Sequence, residues 1–310
     1  MKVAVVGAGH MGRYHAEKFA ARSDCKLVAV ADVDRARAES LAAKLGCPAV
    51  HRYQDFFDKA DAAVVSVPTE RHREVAGACL EAGLHVLVEK PIAVDLAQSG
   101  ALVSLARRNS RVLQVGHVER YNAAFRALAQ RMQRPIFIDA ERLSGFKQRG
   151  ADVDVVLDLM IHDLDLCLAL SKAEVSDVSA CGFRVLTRDI DIANARIEFA
   201  DGCVASLSAS RVSQVPVRKL RVFQTDLYVS ADLQAGKLRY VKQSGGAIEE
   251  AEESHAGGDA LAAQADAFIN SIKGSIKGTH AGVDGESGHK ALKLALEVGT
   301  LVRERLQRFG

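Results

Sequence analysis

The sequence predicts a two-domain α/β chain, with a doubly wound parallel sheet first and an α+β domain second. Three observations predict it. Gly7, Gly9 and Gly12 stand in G-x-G-x-x-G between an apolar run and a helical pattern. Short apolar runs and amphipathic stretches then alternate to about residue 117, the pattern of parallel β–α units. Beyond that, strand-like runs gather between Val175 and Val241, and helical patterns close the chain. A length of 310 residues suits two domains rather than one. The expected division is 1–118 for dinucleotide binding and 119–310 for substrate binding and assembly, with the final helix free to pack back on the first domain.

The elements follow in order. Val3 to Val6 is a first strand, and the glycine loop opens a helix. Gly7 allows the tight turn, Gly9 a close backbone approach to a pyrophosphate, and Gly12 close helix–strand packing. His10 and Met11 belong to the same turn, whose free N–H groups and partial positive charge suit phosphates. "KLVAVAD" is a second strand ending at Asp32, 20 residues beyond Gly12. An acidic side chain there takes the adenosine ribose hydroxyls and repels a 2′-phosphate, so NAD is favoured over NADP. Helix "RARAESLAAKLG", strand "DAAVVSVP", helix "REVAGACLEAG", strand "HVLVEKP", helix "DLAQSGALVSLARRN" and strand "RVLQVGH" complete the alternation. Ser66–Pro68 and Glu89–Pro91 are strand ends, where such sheets bind ligands.

In the second part, "VSACGFRVL", "ANARIEF", "CVASLSASR", "KLRVFQT", "DLYVSA" and "KLRYVK" read as strands, with turn signals such as Asp201-Gly202 between them. "ALAAQADAFINSIKG" and "HKALKLALEVGTLVRERL" read as helices, and the acidic tract "IEEAEESH" as a solvated loop. "VVLDLMIHDLDL" is apolar enough for a buried helix but carries three aspartates and a histidine. On helical geometry Asp158 and His162 lie one turn apart, with Asp154 and Asp165 in the same stripe and Asp163 pointing elsewhere. The stripe faces either a hydrated crevice or a cofactor.

Composition narrows the classes. Hydrophobic content of 48%, charged content of 26% and a net charge of +2 are ordinary for a globular protein and give no nucleic-acid footprint. The six cysteines are scattered without C-x-x-C, so neither a disulfide framework nor a zinc site is expected. No 18-residue apolar run suggests a membrane span. The first residues are too short an apolar stretch for a signal peptide, and a cytoplasmic location is expected. Asp158, His162 and Asp165 could offer two metal ligands, but H-E-x-x-H is lacking and no metal is expected.

The glycine loop, the acidic end of the second strand, "SVPTERH", the triplet Glu89-Lys90-Pro91 and the D-x-x-x-H pair Asp158/His162 together resemble the Gfo/Idh/MocA oxidoreductases over essentially the whole chain. The resemblance implies a Rossmann domain and an α+β domain with a large open, mostly antiparallel sheet. It also implies a homodimer or homotetramer assembled through about 175–245. Where many members carry a glycine-rich stretch before D-x-x-x-H, this chain has "GADVDVVL". With "GHVERYN", that departure is most similar to dehydrogenases acting on C3 of UDP-N-acetylglucosamine in lipid A precursor pathways, where an aminotransferase would consume the ketone. The alternatives are another sugar or inositol-like polyol dehydrogenase, or a non-catalytic NAD-binding sensor.

Oxidising a secondary alcohol needs a hydride acceptor, a base and a positive charge beside the developing alkoxide. His162 is the candidate base, Asp158 a sugar ligand, and Lys90 the cation, able to share the proton. The polar stripe would face the nicotinamide. Besides the glycine loop and Asp32, the cofactor should meet Ser66, Pro68, Thr69, Glu89 and Lys90. His72 either joins them or caps the following helix. Arg120, Tyr121, Asn122, Arg142, Lys147 and Arg149 are candidate substrate contacts, since arginine forks suit a diphosphate.

Overall fold

The computed structural model describes residues 1–146, 153–274 and 282–309. The chain forms two compact units, one of Met1–Val118 with Leu261–Lys290, the other of Glu119–Ala260 with Ala291–Gly310. The expectation of a single boundary after 118 therefore misplaced 261–290.

In the first unit, strands β1 (Lys2–Val6), β2 (Lys26–Ala31), β3 (Ala49–Val50), β4 (Ala62–Val65), β5 (His85–Val88) and β6 (Leu113–Val115) form one sheet in the order β3-β2-β1-β4-β5-β6. Every pairing is parallel, and this is the dinucleotide-binding strand order. Four helices connect the strands: α1 (His10–Ala20), α2 (Arg35–Leu45), α3 (His72–Glu81) and α4 (Leu96–Arg108). Val3, Val5, Ala62 and Val64 are fully buried, because helices cover both faces of a parallel sheet and its strands read as unbroken apolar runs. The Asp34 and Asp95 side chains accept N–H groups at the starts of α2 and α4. α2 ends at Gly46 with φ +66°, the left-handed stop that glycine adopts without strain. β3, two residues long, carries no periodicity to read.

The helix Ala260–Ile272, α7 in chain order, joins this first unit through Ala265, Phe268 and Ile269. Phe268 meets Phe19 of α1 edge-on at 6.4 Å between centroids, and both are fully buried. Burying each such side chain contributes about 1.5–3 kcal/mol, which favours the return of the chain at Leu261 to the unit it left at Val118.

The second unit holds β7 (Phe137–Leu143), β8 (Val175–Phe183), β9 (Ile192–Phe199), β10 (Val204–Ser210), β11 (Val217–Gln224), β12 (Leu227–Asp232), β13 (Lys237–Ser244) and β14 (Ala247–Ser254). They form one sheet in the order β14-β13-β12-β11-β7-β10-β9-β8. β7 and β10 run parallel and the other pairs antiparallel. Burial alternates along the strands. Ile138 and Ala140, Ala195 and Ile197, Ala205 and Leu207, and Leu220 and Val222 face a core shared with α5 (Ala123–Arg131), α6 (Ile161–Ser171) and α8 (Gly285–Phe309). The opposite face is left partly exposed, with Asn194 and Arg196 outward and Phe137, Phe223 and Tyr228 stacked across three strands.

One expectation needs correction, and one strand had no reading in the sequence. The acidic tract is not a solvated loop but the edge strand β14, whose glutamates face β13 and pair with Arg239 and Lys237. Charge on an edge strand deters pairing with another chain. "FIDAERL" is β7, inside the sheet, where its polar residues alternate with Ile138 and Ala140. No helix among the described residues is long and apolar enough to cross a membrane.

Candidate active site

The glycine loop is fixed by close approach. A Cβ on Gly12 would lie 1.7 Å from the Gly7 carbonyl oxygen, so only glycine permits the packing. Gly7 has φ +95°, and a Cβ there would lie 2.4 Å from the Ser66 carbonyl oxygen. Gly9 is different: a Cβ there would meet nothing within 4 Å. No side chain caps the start of α1 and no acidic residue stands in its first turn. This open space over the start of α1, at His10, Met11 and Gly12, fits a dinucleotide pyrophosphate.

Gly9→Ala should accordingly raise KM for NAD by about tenfold, through loss of close backbone approach, and leave Tm unchanged. Gly12→Ala should lower Tm. Cofactor titration alongside thermal melts separates the two effects.

Asp32 stands at the end of β2, 8% exposed. Its Oδ2 accepts the Ala8 N–H at 2.6 Å and its Oδ1 the Asp34 N–H at 2.8 Å. It thus braces the glycine loop, while Asp34 does the capping of α2. Each carboxylate oxygen keeps a second lone pair, so ribose hydroxyls can still be accepted. Arg37 is bound by Asp34 at 2.8 Å and stays 3.8 Å from Asp32.

At the other strand ends, Pro68 precedes a short 3-10 turn, Thr69–Arg71, and Glu89-Lys90-Pro91 follows β5. The Glu89 N–H donates to the Val65 carbonyl at 2.9 Å, extending the sheet by one residue. The Glu89 carboxylate meets Nε2 of His15 at 2.6 Å, and His15 is 1% exposed. Burial pushes the Glu89 carboxyl up. The His15 hydrogen bond and the charges of His15, Lys90 and His72 outweigh it and hold the group below its ordinary value. His72 is not a helix cap. It is 1% exposed, with Nδ1 2.9 Å from the Pro91 carbonyl oxygen and Nε2 3.0 Å from that of Val67. Both carbonyls are acceptors and burial favours the neutral ring, which donates one N–H, so the tautomer decides which of the two contacts is a hydrogen bond.

In the second unit the D-x-x-x-H segment begins with a surprise of geometry. Val156–Met160 is one π-helical turn, and α6 continues from Ile161. A π turn inserts a residue into the helix and often marks a functional site. It carries Asp158, and both Asp158 and His162 are half-buried. Asp154 is not part of their stripe: its side chain accepts the Leu157 N–H at 2.9 Å and caps the turn.

The cost of burying the other two aspartates is met by arginines. Asp163, 3% exposed, takes Arg142 bidentately with both bonds at 2.8 Å. Asp165, 1% exposed, takes Arg120 at 2.7 and 2.9 Å. Arg142 also donates to Glu119 at 2.8 Å. Burial lowers the Arg142 pKa, but the two carboxylates outweigh it and hold the guanidinium firmly protonated.

The expected substrate contacts therefore separate. Arg142 is 3% exposed and its fork is filled by carboxylates, so it is a core group rather than a diphosphate ligand. Arg120 is likewise engaged with Asp165. The Asn122 oxygen accepts the Ala124 and Phe125 N–H groups and caps α5, while its amide donates to the Leu233 carbonyl at 2.8 Å. Tyr121 is 6% exposed and belongs to the core. Lys147 and Arg149 lie outside the described residues. His15 and Glu119 went unremarked in the sequence, and Asp163 was read only as pointing away from the stripe. His15 alone left a signal, a polar residue on the α1 face that carries Gly12, Ala16 and Phe19.

A glycine loop open over Gly9, an acidic brace at Asp32 and a lysine at the end of β5 define an NAD-binding oxidoreductase of the two-domain kind. Residues 1–117 match the model of an oxidoreductase family with an NAD-binding Rossmann fold, and 114–229 match the GFO/IDH/MocA C-terminal domain. The chain belongs to the Gfo/Idh/MocA oxidoreductase family. It is 39% identical to a UDP-N-acetylglucosamine 3-dehydrogenase of Acidithiobacillus ferrooxidans, with 99% of each chain covered. A solved structure of that enzyme superposes with a TM-score of 0.92 over 98% of each chain at 37% identity. A scyllo-inositol 2-dehydrogenase (NAD(+)) of Bacillus subtilis is 30% identical, over 69% of this chain and 68% of its own.

Proposed function

We propose that this protein is an NAD-dependent dehydrogenase oxidising the C3 hydroxyl of UDP-N-acetylglucosamine to the 3-keto sugar nucleotide. One observation carries the reading: 39% identity to the Acidithiobacillus enzyme extends over 99% of both chains. The inositol dehydrogenase match stops at 69% of this chain.

NAD, when bound beside the glycine loop and Asp32, would supply the acceptor for the hydride of the carbinol carbon. Lys90 donates to the reacting hydroxyl and stabilises the alkoxide character that develops on it. His162 takes the hydroxyl proton, an imidazole being the side chain that exchanges protons near neutrality. Asp158 accepts a neighbouring sugar hydroxyl. Asp32 takes the adenosine ribose and disfavours a 2′-phosphate, and Glu89 takes the nicotinamide ribose. Pro68 and Thr69 border the nicotinamide. Lys147 and Arg149 supply positive charge for the substrate diphosphate.

The setting completes the proposal. The enzyme acts in the cytoplasm, in lipid A precursor synthesis. It works as a homodimer or homotetramer formed through about 175–245, a reading supported by the half-exposed Phe137–Phe223–Tyr228 stack on the uncovered sheet face. Alcohol oxidation by NAD is uphill near neutral pH, so an aminotransferase consuming the ketone would pull it forward.

The test is NADH formation from UDP-N-acetylglucosamine with and without hydroxylamine as a ketone trap. The expected result is slight NADH without the trap and sustained NADH with it. No NADH in either case, alongside turnover of a free sugar or inositol, would overturn the substrate assignment.

A further inference from the structure

Lys90 lies between two residues that are each held by a buried imidazole. On one side, the Glu89 carboxylate is 2.6 Å from Nε2 of His15, which α1 carries directly behind the glycine loop. Gly116 closes over the same carboxylate, since a Cβ there would sit 3.0 Å from Glu89 Oε1. On the other side, the Pro91 carbonyl is 2.9 Å from Nδ1 of His72, whose Nε2 faces the Val67 carbonyl in the neighbouring strand-end turn. Both histidines are 1% exposed. Neither has room to touch a substrate, and burying an imidazole without a purposeful partner is costly.

We infer that His15 and His72 are positioning residues for Lys90, His15 acting through the Glu89 carboxylate and His72 through the Pro91 carbonyl. This rests on Lys90 serving the dehydrogenase reaction. His15 also ties the helix that receives the pyrophosphate to the residue proposed to take the nicotinamide ribose, so these two parts of the cofactor meet one frame. The titratable groups around Glu89 are His15 from α1, His72 from α3 and Lys90 beside it. Removing the His15 donor leaves burial as the dominant influence on Glu89. Its carboxyl would then hold a proton to higher pH, and a protonated carboxyl binds the ribose poorly. The defect should shrink as pH rises and Glu89 ionises.

The two amide side chains give a crossed test. Glutamine places its amide where Nε2 of histidine stands, and asparagine where Nδ1 stands. At position 15 the needed atom is Nε2, so His15→Gln should bind NADH within about twofold of wild type. His15→Asn should bind about tenfold more weakly near pH 6 and recover toward pH 9, the scale of one lost charge-assisted hydrogen bond. At position 72 the inference takes the tautomer whose Nδ1–H donates to the Pro91 carbonyl, so the order should reverse. His72→Asn should keep kcat and His72→Gln should lose about tenfold, with NADH affinity and its pH profile unchanged.

NADH affinity is read by fluorescence in the binary complex, with Tm measured on every variant. The same rank order of asparagine and glutamine at both positions would overturn the inference. So would changes in Tm alone, with NADH affinity and kcat at wild-type values. The NADH arm needs no sugar: wild type that binds NADH yet leaves UDP-N-acetylglucosamine untouched would remove the substrate proposal and leave this one standing.

Discussion

Lys90→Ala lowers kcat by about 10²-fold or more and leaves NAD binding within a few fold of wild type; His162→Ala does the same. The magnitude is the usual one for a removed acid–base or charge-stabilising group. The reasons differ. Lys90 follows β5 in a turn whose backbone is fixed by the Glu89 N–H to Val65 carbonyl bond and by the Pro91 carbonyl at His72. Truncating the side chain should leave that turn in place and remove only the ammonium. His162 opens α6 just after the π turn and is half-buried, and the residues proposed to bind the cofactor belong to the other unit. Both variants should keep KM for NAD and lower kcat and kcat/KM together, the mark of an interaction made in the transition state. The measurement is steady-state kinetics with UDP-N-acetylglucosamine and a ketone trap, with cofactor affinity measured separately. A variant that keeps kcat would remove that residue from the proposed chemistry. A variant that loses NAD binding altogether would mean its damage is structural.

The first unit was legible because its signals are local. Gly7, Gly9 and Gly12 mark a loop whose sterics are mostly local, with Ser66 and Val67 the distant contacts. Asp32 was found by its fixed distance from the glycines, although its bonds to the Ala8 and Asp34 N–H groups could not be read from that distance. The second unit was harder. β7 was assigned to no element, and β14 carries four glutamates among eight residues, a run too polar to read as a strand. The aspartates of α6 were the hardest case. A 3.6-residue period put Asp154, Asp158, His162 and Asp165 in one stripe. The π turn breaks that period, and the partners that settle Asp163 and Asp165 stand 21 and 45 residues away in the chain. A charge's partner cannot be inferred from its own helix when the partner belongs to a strand or a turn elsewhere.

Those distant partners make the largest stability effect expected in the protein. Arg142 of β7 lies between Asp163 of α6 and Glu119, with three hydrogen bonds of 2.8 Å, and all three side chains are 7% exposed or less. Arg218, directly opposite on β11, reaches Glu119 at 3.3 Å but is half exposed. Arg142→Met keeps the volume and removes the charge. Two buried carboxylates then lose their main cation, and breaking such a pair from one side costs about 3–5 kcal/mol. The loss should depend on pH. Burial already holds the Asp163 carboxyl above its ordinary value against the pull of Arg142; without Arg142 it rises further, so the variant should be least impaired in mild acid, where Asp163 protonates, and worst above neutrality. A triple variant, Arg142→Met with Asp163→Leu and Glu119→Gln, removes the stranded charges as well. It should recover most of the stability, since replacing a whole buried ion cluster by apolar or neutral groups is often neutral. It should not recover activity. Asp163 is the residue after His162, and its fork to Arg142 sets the rotation of α6 against β7. Urea unfolding at several pH values gives the stability of each variant, and kinetics on the triple variant gives the rest. Full stability with full activity would mean the cluster holds the fold together and nothing more. Full stability with kcat reduced would show that this buried charge is kept for the orientation of His162.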